Sequence, residues 1–357
     1  MPRPKLDLRV PLTELHVHLG AAVTPAIMWG IAHAQGIRLP TKDYWAFRDL
    51  ITVGRRRQSF QAYLDLFHWT ELIQSSPIAV ERSVYEVIGG AYRKNNITTL
   101  ELRFNPMKRN RGGEQDLDHI IAAAVRGMDR AVLEYPQVRA GLIFCLDRAF
   151  SYELNEIIAR KAIAWRDRGV IAVDIAGPNE PTFRFADYSG LFAEVRRAGL
   201  GVTVHAGETG GPGEVRDAVE ALQPSRIGHG IKSAYDPRVM DMLRERGVVL
   251  EVCVSSNLNT RVVRNLAEMR EILRRLIDHD VRFALSTDGP EMLRAYLRDE
   301  IATLMRHDIL SFEDVQRAIQ TANRSTFVEA GSVSDGSTLG RERPARGRAA
   351  IALEVEV

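Results

Sequence analysis

A chain of 357 residues, 45% apolar and 26% charged, has an ordinary globular composition and enough apolar side chains for a large core. A formal net charge of +2 is too small to make nucleic acid or an anionic membrane the main partner. The two cysteines, Cys145 and Cys253, both lie in apolar runs, which describes buried thiols in a reducing compartment rather than a disulfide framework. No apolar run approaches a membrane span, and residues 1–11 carry no long apolar stretch after their basic residues, so a cytoplasmic protein is expected.

The first element is a strand over residues 12–19. Leu15, Val17 and Leu19 alternate with His16 and His18, so both imidazoles share one face. The stretch 20–97 is too long for one crossover helix and carries helical patterns at 25–35, 59–74 and 79–93. The first two read as a lid insertion, about residues 20–78, near the mouth of a barrel. Seven more short apolar, β-branched runs follow at 98–105, 139–146, 170–177, 201–208, 225–229, 248–255 and 282–288. Helical patterns separate or follow them at 117–133, 153–168, 188–197, 213–222, 238–246, 266–277 and 291–305. Unbroken alternation of strand and helix predicts an α/β fold with a parallel sheet, and eight units predict closure into a (β/α)8 TIM barrel over residues 1–330. The segment 331–357 is rich in Gly, Ser, Arg and Pro as far as Arg348 and reads as a flexible tail.

Polar residues collect where such a barrel builds its site, at the C-terminal strand ends: His16, His18, Asn105, Asp174, Gly177, His205, Glu208, His229, Ser255, Ser256 and Asp288. Each has an ordinary explanation alone. His205 suits a packed core histidine, Asp288 a turn before Gly289, Glu208 a helix cap, and His229 a packing residue between glycines. Converging on one cleft, they make a set. Three imidazoles (His16, His18, His205) and one carboxylate (Asp288) suit a divalent metal, zinc best, with room left for water. A metal there lowers the pKa of that water toward neutrality. Glu208 then suits a proton carrier to a substrate ring nitrogen, and His229 a group that orients the water and takes its proton. These residues give a metal-dependent hydrolase without naming its substrate.

The chain resembles the adenosine deaminase family of metal-dependent amidohydrolases. The resemblance rests on Glu14-Leu15-His16-Val17-His18-Leu19, Leu100-Glu101-Leu102-Arg103-Phe104, Asp174-Ile175-Ala176-Gly177 and His205-Ala206-Gly207-Glu208-Thr209. It continues through Arg226-Ile227-Gly228-His229-Gly230, Glu251-Val252-Cys253, Ser256-Asn257 and Ser286-Thr287-Asp288, in family order from about residue 12 to about residue 327. The resemblance implies one zinc ion and hydrolytic loss of a purine 6-amino group as ammonia. It implies His16, His18, His205 and Asp288 as ligands, Glu208 as proton donor to purine N1, and His229 as activator of the water. The Gly177 backbone corresponds to a contact with purine N3, and Tyr63 with Phe67, four apart on one helical face, to the aromatic pair of the lid.

Two positions depart from the family pattern. Gly20 stands where an acidic or amide residue is expected to face the 5′ end of the sugar, and Gly289 stands where a second Asp helps hold purine N7. Losing a hydrogen bond to a charged acceptor is worth roughly 1.5–3 kcal/mol. Beside an adenosine-like nucleoside, the alternatives are therefore a 5′-modified or N6-substituted aminopurine, another cyclic amidine, or a catalytically silent binding protein. The Arg55-Arg56-Arg57 run before the lid helix reads as a solvated charge run, or as a 5′-phosphate partner paired with the change at Gly20.

Overall fold

The computed structural model describes residues 6–54, 59–110 and 116–329. The Arg55-Arg56-Arg57 run and the 331–357 segment lie outside the described residues. All eight expected strands form: β1 (Leu12–His18), β2 (Ile97–Phe104), β3 (Arg139–Asp147), β4 (Val170–Ala176), β5 (Gly201–Ala206), β6 (Arg226–His229), β7 (Val249–Val252) and β8 (Phe283–Leu285). They pair in parallel and in sequence order. The backbones of the two edges meet at Asp288: its N–H donates to the His16 carbonyl and the His18 N–H donates to its carbonyl, both at 2.8 Å, and the Thr287 hydroxyl donates to Glu14 across the same seam at 2.9 Å. The sheet is thus nearly closed into a barrel, and its seam runs through the site residues.

Amphipathic helices ring the sheet. Helix Leu117–Glu134, for example, buries Ile120, Ile121, Ala124, Val125 and Met128 on one side, as its period requires. Helices Pro25–Ala34, Tyr44–Ile51 and Phe60–Ile73 follow β1 before helix Pro77–Asn95 leads into β2. Tyr44–Ile51 was not expected from sequence; it starts where Asp43 accepts the Ala46 N–H at 2.7 Å. The pattern at 291–305 is broken into Pro290–Leu293 and Leu297–Arg306, because Arg294 ends the first turn with φ +53°. The run at 248–255 stops as strand at Val252 and turns into the short helix Val254–Asn259. A final helix, Phe312–Ser325, opens on a Ser311/Asp314 capping box. No helix among the described residues is long and apolar enough to cross a membrane.

The barrel interior is charged. Such interiors are usually layers of Val, Ile and Leu, yet Glu101, Arg103, Asp174, Arg226 and Glu251 are all fully buried here. Charges this deep persist only when paired. Arg103 donates to Asp174 Oδ2 at 2.9 Å and to Glu251 Oε2 at 2.8 Å. Arg226 donates to Glu251 Oε1 at 2.6 Å and to Glu101. Burial alone would raise the Glu251 carboxyl, but Arg103 and Arg226 hold it at about 2.

Glu300, in helix Leu297–Arg306, is a buried carboxyl with a different balance. The Ser255 N–H donates to it at 3.0 and 3.2 Å, but burial outweighs the hydrogen bonds from Ser255 and pushes it from 4.5 up to about 7. A carboxyl raised in the folded state favours folding while protonated. Its contribution is therefore intact below about pH 4.5 and is lost as pH rises through about 7. Glu300→Gln, which keeps an oxygen for Ser255, is expected to leave stability nearly unchanged at pH 5. At pH 8 it should raise stability by on the order of 2 kcal/mol. Melting curves at the two pH values check this; a gain that does not grow with pH contradicts it.

Candidate active site

Because β1 alternates, His16 and His18 emerge on its inner face, and β5 delivers His205 to the same point. The coordinating atoms of the three imidazoles all lie within 4.8 Å of one another. Asp288 Oδ1 is 3.5 Å from His18 Nε2 and 3.7 Å from His16 Nε2. Two imidazole nitrogens, His18 Nε2 and His205 Nε2, face each other at 3.1 Å. Among the described residues His16 Nε2 is buried with no hydrogen-bond partner. A buried, orphaned nitrogen aimed at two others and a carboxylate is what a cation would satisfy, and an N3O donor set fits zinc.

The outer ring nitrogens are held in turn. Glu251 Oε2 takes His16 Nδ1 at 2.6 Å, and Asp174 Oδ2 takes His205 Nδ1 at 2.9 Å. A carboxylate on Nδ1 keeps the proton there and turns the Nε2 lone pair inward. Burial drives the His16 and His18 pKa values well below the usual imidazole range, which keeps both rings in the neutral, ligating form. Asp288 is anchored by Ser256 Oγ at 2.6 Å and the Tyr63 hydroxyl at 3.3 Å. Asp288 and His229 both take left-handed backbone, with φ of +67° and +60°; such strain in non-glycine residues gathers at functional sites.

Glu208 and His229 face each other beside this cluster, Oε2 to Nε2 at 3.6 Å. Burial first, and then the Asp288 charge, raise the Glu208 carboxyl well above its usual range, and its Oε1 has no partner. Burial first, and then His205, lower the His229 ring to about 3, so it is neutral near pH 7. The Asn257 amide lies 3.1 Å from His229 Nδ1. The atom placed there is Nδ2, while Oδ1 is buried and unpartnered among the described residues; exchanging the two amide ends gives Oδ1 a partner, fixes the proton on His229 Nδ1 and leaves Nε2 as an acceptor.

A cavity of about 560 Å³ opens outward from these groups. Gly177 lines it with φ +101°, and a Cβ there would lie 2.7 Å from Asp147 Oδ1, so only glycine lets the chain follow the wall. Tyr63 and Phe67 project from helix Phe60–Ile73 with rings edge-to-face at 5.6 Å, and Phe67 stands 6.3 Å from the His18 ring.

The two departures have steric counterparts. A Cβ on Gly20 would meet Phe67 Cδ1 at 2.8 Å and Arg109 Nη2 at 3.2 Å. A Cβ on Gly289 would meet the Ala21 Cβ at 2.6 Å and the Tyr63 hydroxyl at 2.9 Å. Tyr63 and Ala21 thus fill the space a side chain at 289 needs. Gly289→Asp is expected to destabilise by about 1–3 kcal/mol, the usual cost of overpacking, and Tyr63→Phe added to it should recover part of the loss. Thermal melts of the single and double variants check this; an unchanged single variant contradicts it. Glu291, two residues further on, does not line the cavity and pairs with Lys94 instead.

The sequence reading gave no role to several residues found here. Arg103, Asp174 and Glu251 hold the ligand-type histidines, Ser256 and Asn257 hold Asp288 and His229, and Cys253 lies within 4.8 Å of His16 and His229 atoms. A signal existed for the first three: charges at alternate positions inside apolar strands need a buried partner.

Comparison with known proteins agrees with the geometry. The adenosine deaminase family model matches residues 11–334. Adenosine deaminase of Clostridium kluyveri is 30% identical over 318 residues, 89% of this chain and 90% of its own length. Among solved structures, the N6-mAMP deaminase of Arabidopsis superposes with a TM-score of 0.77 at 22% identity, covering 90% of this chain and 95% of its own. A zinc-bound amidohydrolase from Burkholderia ambifaria superposes at 0.76 and 22% identity, covering 90% and 87%. Family match, barrel and clustered strand-end histidines coincide, and the chain belongs to the adenosine deaminase family of the amidohydrolase superfamily, hydrolases acting on cyclic amidines.

Proposed function

We propose that the chain is a zinc-dependent deaminase that hydrolytically removes the 6-amino group of an adenosine-like aminopurine nucleoside, releasing ammonia. The observation that carries this reading is the meeting of His16, His18, His205 and Asp288 at one point, with Glu208 and His229 beside it. Those four residues would hold the zinc ion, which supplies Lewis-acid activation of water when bound.

The chain's own residues do the rest. Glu208, kept protonated by its buried setting, donates a proton to the purine ring nitrogen next to the reacting carbon, which makes that carbon more electrophilic. Neutral His229 orients the attacking water and accepts its proton at Nε2, with Asn257 holding the ring. The Gly177 backbone borders the cavity where purine N3 would lie, and its missing side chain allows the close approach. Helix Phe60–Ile73, part of the expected lid insertion, lines the cavity and would bring Tyr63 and Phe67 over the purine and exclude water.

A neutral nucleoside is the lead substrate because the cations lining the cavity already face carboxylates. Lys108 pairs with Asp147, Arg148 with Glu214 at 2.9 Å, and Arg109 with Glu71 at 3.6 Å. One observation favours a second substrate, a 5′-modified or N6-substituted aminopurine. Where a carboxylate side chain is absent at Gly20, the Phe67 ring takes the room with the Arg109 guanidinium beside it, and the Arabidopsis relative is named for N6-mAMP. The test is zinc content together with an ammonia-release screen over adenosine, deoxyadenosine, adenine, AMP, N6-methyl-AMP and 5′-substituted adenosines. Fastest release from unmodified nucleosides supports the lead reading; release only from modified substrates supports the second. No release from any zinc-loaded sample contradicts both.

A further inference from the structure

The charged barrel interior does not end at Arg226. Below it, at the N-terminal mouth of the barrel, the last residue of helix Phe312–Ser325 and the two that follow close over it. The Ser325 carbonyl accepts from Arg226 Nη1 at 2.6 Å. The Thr326 hydroxyl and the Phe327 N–H both donate to Glu101 Oε1, at 2.7 and 2.5 Å. The Phe327 ring lies over the guanidinium, its centroid 3.7 Å from Arg226 Cζ, a cation–π contact. The ring has a built seat. Gly201, the first residue of β5, leaves it room, since a Cβ there would lie 2.5 Å from the ring.

From this seat an unbroken line of buried contacts runs the height of the barrel. Arg226 Nε donates to Glu251 Oε1 at 2.6 Å, and Glu251 Oε2 holds His16 Nδ1 at 2.6 Å. Glu251 Oε2 also meets Arg103, which reaches Asp174 and through it His205. Glu251 Oε1 has a second donor, Thr203 Oγ1 at 3.0 Å, so disturbing Arg226 loosens the carboxylate, and the imidazole it holds, without freeing it. We propose that Thr326 and Phe327 are positioning residues for the metal centre: they fix Arg226, Arg226 fixes the Glu251 carboxylate, and that carboxylate fixes the ring of His16. The inference rests on His16 being a metal ligand.

A strap that merely plugged the barrel would affect folding stability and nothing else. The full chain and its Phe327→Ala, Thr326→Val and Phe327→Tyr variants are therefore compared in zinc affinity, by competition with a chelator, and in the visible spectrum of the cobalt(II)-loaded protein. Partners that orient metal ligands change affinity by roughly 10–100-fold when removed, and these residues stand one contact further out. Phe327→Ala is expected to weaken zinc binding about tenfold and to alter the cobalt band; Thr326→Val should do so about threefold, and Phe327→Tyr should stay within about twofold of the parent. Phe327→Ala with a lowered melting temperature but parental zinc affinity and cobalt spectrum overturns the proposal. If that variant does not fold, Thr326→Val is judged by the same two readouts. A parent chain that binds no zinc removes the reading of His16 itself; a parent that binds it, with indifferent variants, removes only the strap.

Discussion

Glu208→Gln is expected to slow turnover at least about a hundredfold while leaving metal content and melting temperature near the parent's. Burial and the neighbouring Asp288 charge keep this carboxyl protonated far above the usual carboxylate range, so at neutral pH it holds a transferable proton. Glutamine has the same shape and still offers N–H groups, but no proton it can give up. Among the described residues the Glu208 Oε1 has no hydrogen-bond partner, and His229 stands 3.6 Å from Oε2. A large loss of rate without a loss of zinc therefore isolates proton donation from metal binding. Ammonia release, metal analysis and a melting curve on one preparation check it. Near-full rate in the variant contradicts the proton-donor role.

The second large effect is loss of the metal itself. His16→Ala is expected to bring zinc from about one per chain to near none, and ammonia release to background. His16 is fully buried, and its Nε2 finds no protein partner while its Nδ1 is held by Glu251. A nitrogen so placed has no other evident use. The barrel is expected to survive, since Glu251 keeps Arg103 and Arg226 after the imidazole is gone. Metal analysis after dialysis decides it: a folded variant that retains one zinc per chain shows that His16 is not a ligand.

Much of this was legible in the chain. The eight strands were visible as short apolar runs between helical patterns. The alternation of Leu15, Val17 and Leu19 with His16 and His18 put both imidazoles on one face, where β1 presents them. What stayed hidden depended on partners far apart in sequence. Arg103 meets Asp174 across 71 positions and Glu251 across 148, and a strand period says which face a charge takes but not which strand answers it. Ser256 and Asn257 were quoted as motif letters, yet they face the site only because the chain leaves β7 at Val252 and coils at once. Gly289 reads in the sequence as a lost side chain. In three dimensions Ala21 and the Tyr63 hydroxyl, 225 positions from Asp288, have taken its room.

Everything rests on the four side chains at the barrel seam gripping a single cation. Diffraction from zinc-loaded crystals at the zinc absorption edge tests this directly. One anomalous peak is expected at about 2.0–2.2 Å from Nε2 of His16, His18 and His205 and from a carboxylate oxygen of Asp288. A fully loaded protein whose zinc lies elsewhere, or touches fewer than three of these residues, would contradict it.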